Sequence, residues 1–160
     1  MSQNLITIPA FHFIGLPLRT SNDKMNEIGA HWGKFYSEKI IDKIPDKIDN
    51  DGAGGATSVL GLYTDYEGDH TKPYTLILGC KVSSIDAMTK VKNELVSRTI
   101  PESKYVVFTA KGKMPDCIIK TWGDIWNSGI DRTYKFDFEV YGEKSGNPEN
   151  AEVDIYISVK

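Results

Sequence analysis

The 160-residue chain predicts an α+β fold made by pseudo-twofold duplication of a βαββ unit. Three observations carry this. The order strand, helix, strand, strand can be read twice, which is the pattern to seek before any other. Each helix holds a Trp-Gly pair followed by two bulky apolar residues: Trp32-Gly33 before Phe35-Tyr36, and Trp122-Gly123 before Ile125-Trp126. The strand after each helix then repeats an aliphatic–tyrosine pair, Leu62-Tyr63 and Val140-Tyr141. Either half alone would leave a sheet face and a helix stripe bare, so the halves, approximately 1–83 and 103–160, should pack into one domain over 1–160.

The elements follow in order. Leu5 to Leu18 is extended, and Pro9 and Pro17 exclude a helix there. Thr20-Ser21-Asn22-Asp23 is a cluster of capping residues. Met25, Ile28, Trp32, Phe35, Tyr36 and Ile40 then recur at helical spacing, predicting a helix from Lys24 to about Lys43. Gly29 and Gly33 inside it each cost about 1 kcal/mol against alanine, which suggests close packing. Ile44 to Gly55 is loop punctuation, without the GxxxxGK[ST] pattern of a phosphate loop. Thr57–Asp65 is a strand and Tyr66–Pro73 a polar turn. Tyr74–Val82, apolar on both faces, is a central strand. Ser84 to Pro101 reads either as a helix through Ile85, Met88, Val91, Leu95 and Val96 or as a connecting arm. Ser103–Gly112 is a strand. Pro115 opens a second helix lined by Ile118, Ile119, Trp122, Ile125 and Trp126, which Gly129 ends. Val153 to Val159 alternates as the last strand.

Net charge is −3, so no basic footprint for nucleic acid exists. Two cysteines outside any CxxC pattern, and an N-terminus with no basic n-region or long apolar run, point to a reducing, cytoplasmic setting. No stretch approaches the roughly 20 apolar residues that span a bilayer. His12, His31 and His70 lack metal-ligand spacing, no cofactor motif is present, and no catalytic triad or dyad has a local signature.

The remaining strand, Tyr134 to Gly142, carries the chemistry. Tyr134, Phe136, Phe138 and Val140 alternate onto a core face. Lys135, Asp137, Glu139 and Tyr141 point the other way. Glutamate on a strand is ordinarily solvated. Among aromatics it is instead a candidate for a dry anionic site, because Coulomb attraction grows as the effective dielectric falls. A buried carboxylate needs donors, for which tyrosine hydroxyls serve. Asp137 is expected to be solvated or paired with Lys135.

At these residues the chain resembles the GyrI-like, or AraC-type, effector-binding domain family. The matching pieces are Phe13-Ile14-Gly15-Leu16 with Arg19-Thr20-Ser21, Trp32, Leu60-Gly61-Leu62-Tyr63, and Tyr74 through Leu78-Gly79 and Lys81-Val82. Ile100-Pro101, Lys104 to Gly112, Trp122, Phe138-Glu139-Val140-Tyr141 and Val153 to Ile157 complete the ordered set. Ser158 stands where the family usually has proline. The resemblance implies antiparallel sheets with helices lining a central cleft. It places Glu139 in that cleft, with Tyr141, Trp122, Tyr74, Tyr63 and Trp32 as its aromatic lining. It further implies a stand-alone module for small lipophilic, often cationic, organic ligands, in sensing, sequestration or transcription regulation. The regulators' helix-turn-helix domain has no counterpart in the sequence, so direct DNA binding does not carry over. Two other roles occur in the resembling family. One is hydrolysis of cyclopropane-containing electrophilic toxins, with Glu139 as general base. The other is protein interaction, as in gyrase inhibition, with a partner the sequence does not specify.

Overall fold

The computed structural model of the chain describes residues 5–48, 58–84, 86 and 94–160. Its strands are β1 Leu5–Ile8, β2 Phe11–Thr20, β3 Val59–Thr64, β4 Tyr74–Val82, β5 Val96–Ile100, β6 Ser103–Gly112, β7 Phe136–Tyr141 and β8 Ala151–Val159. Two α-helices among the described residues are α1 Met25–Ser37 and α2 Asp116–Trp126. The glycine-rich loop read at 49–55 and the part of the possible helix at 85 and 87–93 lie outside the described residues.

The strands form one curled sheet in the order β1-β6-β8-β7-β3-β4-β2-β5, with every pairing antiparallel. The halves β2-α1-β3-β4 and β6-α2-β7-β8 mirror each other about its centre. The expectation was of sheets in the plural. They fuse because β3 and β7 pair directly, from Val59↔Tyr141 to Thr64↔Phe136. The outer strands are exchanged: β1 pairs with β6 of the second half, and β5 with β2 of the first. Of the two readings of the 84–101 segment, its end is thus a strand that clasps the opposite half.

The two sheet faces have different cores. Phe11, Phe13, Leu60, Leu62, Ile77, Ile100, Tyr105 and Phe138 close the face opposite α1 and α2. On the other face α1 packs Phe35 against Ile14, Leu16, Leu76 and Leu78, and α2 packs Cys117 and Ile125 against Val153, Ile155 and Ile157. The helices therefore sit over separate halves and leave the central strands between them.

Several local expectations change. Helix α1 stops at Ser37, because Lys39 adopts φ 51 before a short 3-10 turn at Ile40–Lys43. The 20–23 cluster makes a turn rather than a cap, with Lys24 N–H donating to Ser21 O at 3.0 Å. Gly29 and Gly33 do not mark close packing, since a Cβ at either would meet nothing within 4 Å. Tyr134 leaves the strand alternation altogether at φ 54. No helix of the described residues is long and apolar enough to cross a membrane.

Close backbone approach is real at Gly15 and Gly79, which face each other across β2 and β4. A Cβ on Gly79 would lie 2.0 Å from Ile14 O, and one on Gly15 2.4 Å from Leu78 O. Backbone cannot give way as a flexible side chain can, so Gly79→Ala is expected to cost about 2–4 kcal/mol in urea unfolding. Gly29→Ala, with open space at its Cβ, should instead be neutral or slightly stabilising.

Candidate functional site

The site begins where β3 meets β7. Gly61 and Glu139 are cross-strand partners, and they are also equivalents in the repeat that superposes Leu62-Tyr63 on Val140-Tyr141. A residue paired with its own equivalent lies on the pseudo-twofold axis. Two large side chains would compete for that spot. Here one half supplies none, and a Cβ on Gly61 would stand only 3.0 Å from Glu139 Oε1.

Glu139 is 1% exposed. Two neutral donors hold it: the Trp122 indole N–H donates to Oε2 at 2.6 Å and the Tyr141 hydroxyl to Oε1 at 2.9 Å. Burial pushes the carboxyl pKa above its ordinary value of 4.5. The donors, Trp122 foremost, pull the other way but do not cancel the burial. Burial and then the Glu139 charge hold the Tyr63 and Tyr141 phenols well above the usual range, so both remain protonated. Among the described residues Glu139 has no ion-pair partner.

Both halves contribute the aromatic surround. Trp32 of α1 crosses to Tyr141 at 4.8 Å between ring centroids, and Trp122 of α2 crosses to Tyr63 at 5.2 Å. Tyr63 meets Tyr74 at 5.4 Å. The six residues singled out from the sequence thus form one connected group, with one qualification. Tyr74 joins through its ring, while its hydroxyl donates to Asn22 Oδ1 at 2.8 Å rather than to Glu139. Above this floor the helices turn apolar surface outward. Met25 and Tyr36 on α1, and Ile119 and Trp126 on α2, are exposed. Their spacing places them on the same helix sides as Trp32 and Trp122. Trp126 also stacks on His70 of the β3–β4 loop at 4.9 Å.

A second group went unrecognised in the sequence. Asp137 is neither solvated nor paired with Lys135; it is 0% exposed. Arg132 Nη2 donates to its Oδ2 at 2.8 Å, the Tyr66 hydroxyl to Oδ2 at 2.5 Å, and Ser158 N–H to Oδ1 at 2.8 Å. The parity of Asp137 with Glu139 on β7 was the available signal, since both must face the helices. Arg132 lies in an aperiodic segment and gave none. Tyr66, read as part of a polar turn, is half-buried and packs its ring against Tyr74 at 5.9 Å. Among the described residues no three His, Cys, Asp or Glu side chains are placed to hold a metal ion.

Residues 4–159 match the family described as Cass2, integron-associated effector binding protein. The chain belongs to that family. Its resemblance to the GyrI-like effector-binding fold holds across solved structures as well. A Cass2 integron cassette protein from the mobile metagenome of Vibrio cholerae is 32% identical, with 99% of this chain and 95% of that chain covered and a TM-score of 0.71. SAV2435, solved bound to tetraphenylphosphonium, has the same fold at 20% identity and a TM-score of 0.77, covering 100% of this chain and 94% of that one. YobU of Bacillus subtilis strain 168, named as a proposed transcriptional regulator, is 29% identical over 155 residues, covering 92% of this chain and 91% of its own.

The raised pKa of Glu139 makes a stability prediction. Its folded state holds the proton more tightly than the unfolded chain, so its contribution to folding is full below the ordinary value of 4.5 and is lost as pH rises through the folded-state pKa. Glu139→Gln, which cannot ionise, should therefore be more stable than the wild type at pH 7. In thermal unfolding that advantage should shrink as pH falls toward 4.5.

Proposed function

We propose that the chain is an effector-binding protein whose cleft takes small lipophilic cations, with Glu139 as counter-ion and Trp32, Tyr63, Tyr74, Trp122 and Tyr141 as aromatic lining. The observation that carries this reading is the state of Glu139: buried, held only by neutral donors, and without a cation among the described residues. Neutral donors can partly offset the desolvation of a carboxylate, but they leave its charge available. A guest that cannot donate hydrogen bonds, such as a quaternary phosphonium, needs only that charge and apolar rings. With roughly 5 Å between charges and an effective dielectric of about 20, the attraction is roughly 3 kcal/mol. Each aromatic face adds roughly 0.5–2 kcal/mol.

Two relatives support the reading. SAV2435, which shares the fold, has been solved with tetraphenylphosphonium, a lipophilic monocation. YobU carries a name from transcription regulation. We assign the binding to sensing, sequestration or regulation in response to such molecules, and direct contact with DNA is not part of the proposal.

Calorimetric titration with tetraphenylphosphonium tests this. The wild type should bind with a dissociation constant on the order of micromolar. Glu139→Gln, still folded, should bind at least about tenfold more weakly. Equal affinity in the two proteins would remove the counter-ion from the mechanism.

A further inference from the structure

On the helix face of β7 two buried carboxylates stand two residues apart and are treated differently. Among the described residues Glu139 receives only neutral donors. Asp137 receives a guanidinium, and the Arg132–Asp137 pair is sealed, with side-chain exposures of 4% and 0%. Three rings surround that guanidinium: Tyr134 at 4.3 Å, Tyr66 at 5.9 Å and Trp122 at 6.0 Å from Cζ. Arg132 Nε and Nη1 are buried without a hydrogen-bond partner among the described residues, and the groups around the guanidinium are these aromatic rings. Tyr134 adopts φ 54 at this place, a backbone state rare for a bulky residue.

Arg132 is thus a cation already resident in an aromatic cage, beside the cage offered to a guest. Trp122 belongs to both. Its N–H edge binds Glu139 at 2.6 Å, and its face meets the Arg132 guanidinium at 6.0 Å. Among the described residues this buried centre therefore contains two carboxylates and one guanidinium, which leaves one carboxylate unmatched.

We propose that the Arg132–Asp137 pair sets the valence the cleft accepts: with Asp137 neutralised from within, Glu139 alone calls for a counter-ion, and singly charged lipophilic cations are selected over doubly charged ones. This rests on the cation-binding reading above and adds to it. A second charge on a compact guest would find no second free carboxylate and would lie close to the guanidinium, where repulsion is strong at low effective dielectric. Neither Arg132 nor Asp137 needs to touch the guest. They act as specificity-determining residues through the charge balance.

The test uses two probes of one shape. (3,3-Dimethylbutyl)triphenylphosphonium has one permanent charge; (2-trimethylammonioethyl)triphenylphosphonium replaces its quaternary carbon with nitrogen and has two. The measured quantity is the ratio of their dissociation constants by calorimetry. The wild type should favour the one-charge probe by at least about tenfold. Arg132→Met, which frees Asp137, should move the ratio toward the two-charge probe by about tenfold or more. Asp137→Asn, which leaves the guanidinium in excess, should move it the other way. Arg132→Met/Asp137→Asn restores the balance, and removing a whole buried pair is commonly tolerated; its ratio should return to within about threefold of the wild type. If one single variant fails to fold, the other still gives a signed shift. A purely structural role would weaken both probes alike, so single variants with an unchanged ratio, or with shifts of the same sign, overturn the proposal while leaving the cation reading in place. Failure of the wild type to bind either the one-charge probe or tetraphenylphosphonium overturns both.

Discussion

A carboxylate kept from water and held by neutral donors is the constraint on which the rest of this molecule turns. Glu139 could be neutralised by a lysine or left at a wet edge, and either would be cheaper. Instead the Trp122 N–H and the Tyr141 hydroxyl hold it at the centre of the sheet. Those donors come from α2 and β7 of the second half, while β3 of the first half supplies the space for the carboxylate at Gly61. The two halves must therefore be docked in register before the group is enclosed. The direct β3–β7 pairing and the reciprocal exchange of β1 and β5 provide that docking.

Symmetry explains why the acid is single. A pseudo-twofold axis runs between Gly61 and Glu139, so a strict repeat would place identical side chains in collision or two like charges in contact. The duplication keeps its tyrosines on both sides, Tyr63 and Tyr141, and breaks only at the axis. Next to this open charge the molecule closes another. Asp137 lies on the same strand face with its cation built in. A free carboxylate and a compensated one, separated by one residue and sharing Trp122, divide the buried polar centre into a part that awaits a guest and a part that already has one.

Much of this was legible in the residues. Alternation along β7 put Phe136, Phe138 and Val140 on one face and Asp137, Glu139 and Tyr141 on the other, and the structure has them so. The repeated Trp-Gly and aliphatic-Tyr pairs identified equivalent positions correctly. Other features were hidden for physical reasons. Alternation is silent about a residue at positive φ, so Tyr134 was read into the core when its backbone turns it onto Arg132. Sequence proximity offers Asp137 only solvent or Lys135, although salt bridges inside a core follow packing, and its partner comes from the aperiodic stretch before β7. Glycines in α1 were read as contacts because a helical glycine marks either a tight approach or a gap, and composition cannot say which. The exchange of β1 and β5 is a long-range pairing with no local trace.

The central claim is that the Glu139 charge is held in reserve for a cation. The most direct measurement is the ionisation of that one carboxyl, followed through its 13C resonance as pH is varied, in the free protein and in the presence of saturating tetraphenylphosphonium. The account requires a pKa above the ordinary 4.5 in the free protein and a lower one in the complex, since a cation that favours the ionised form must release the proton. The same pKa in both states would contradict it, because a guest that does not alter that ionisation is not paired with that charge.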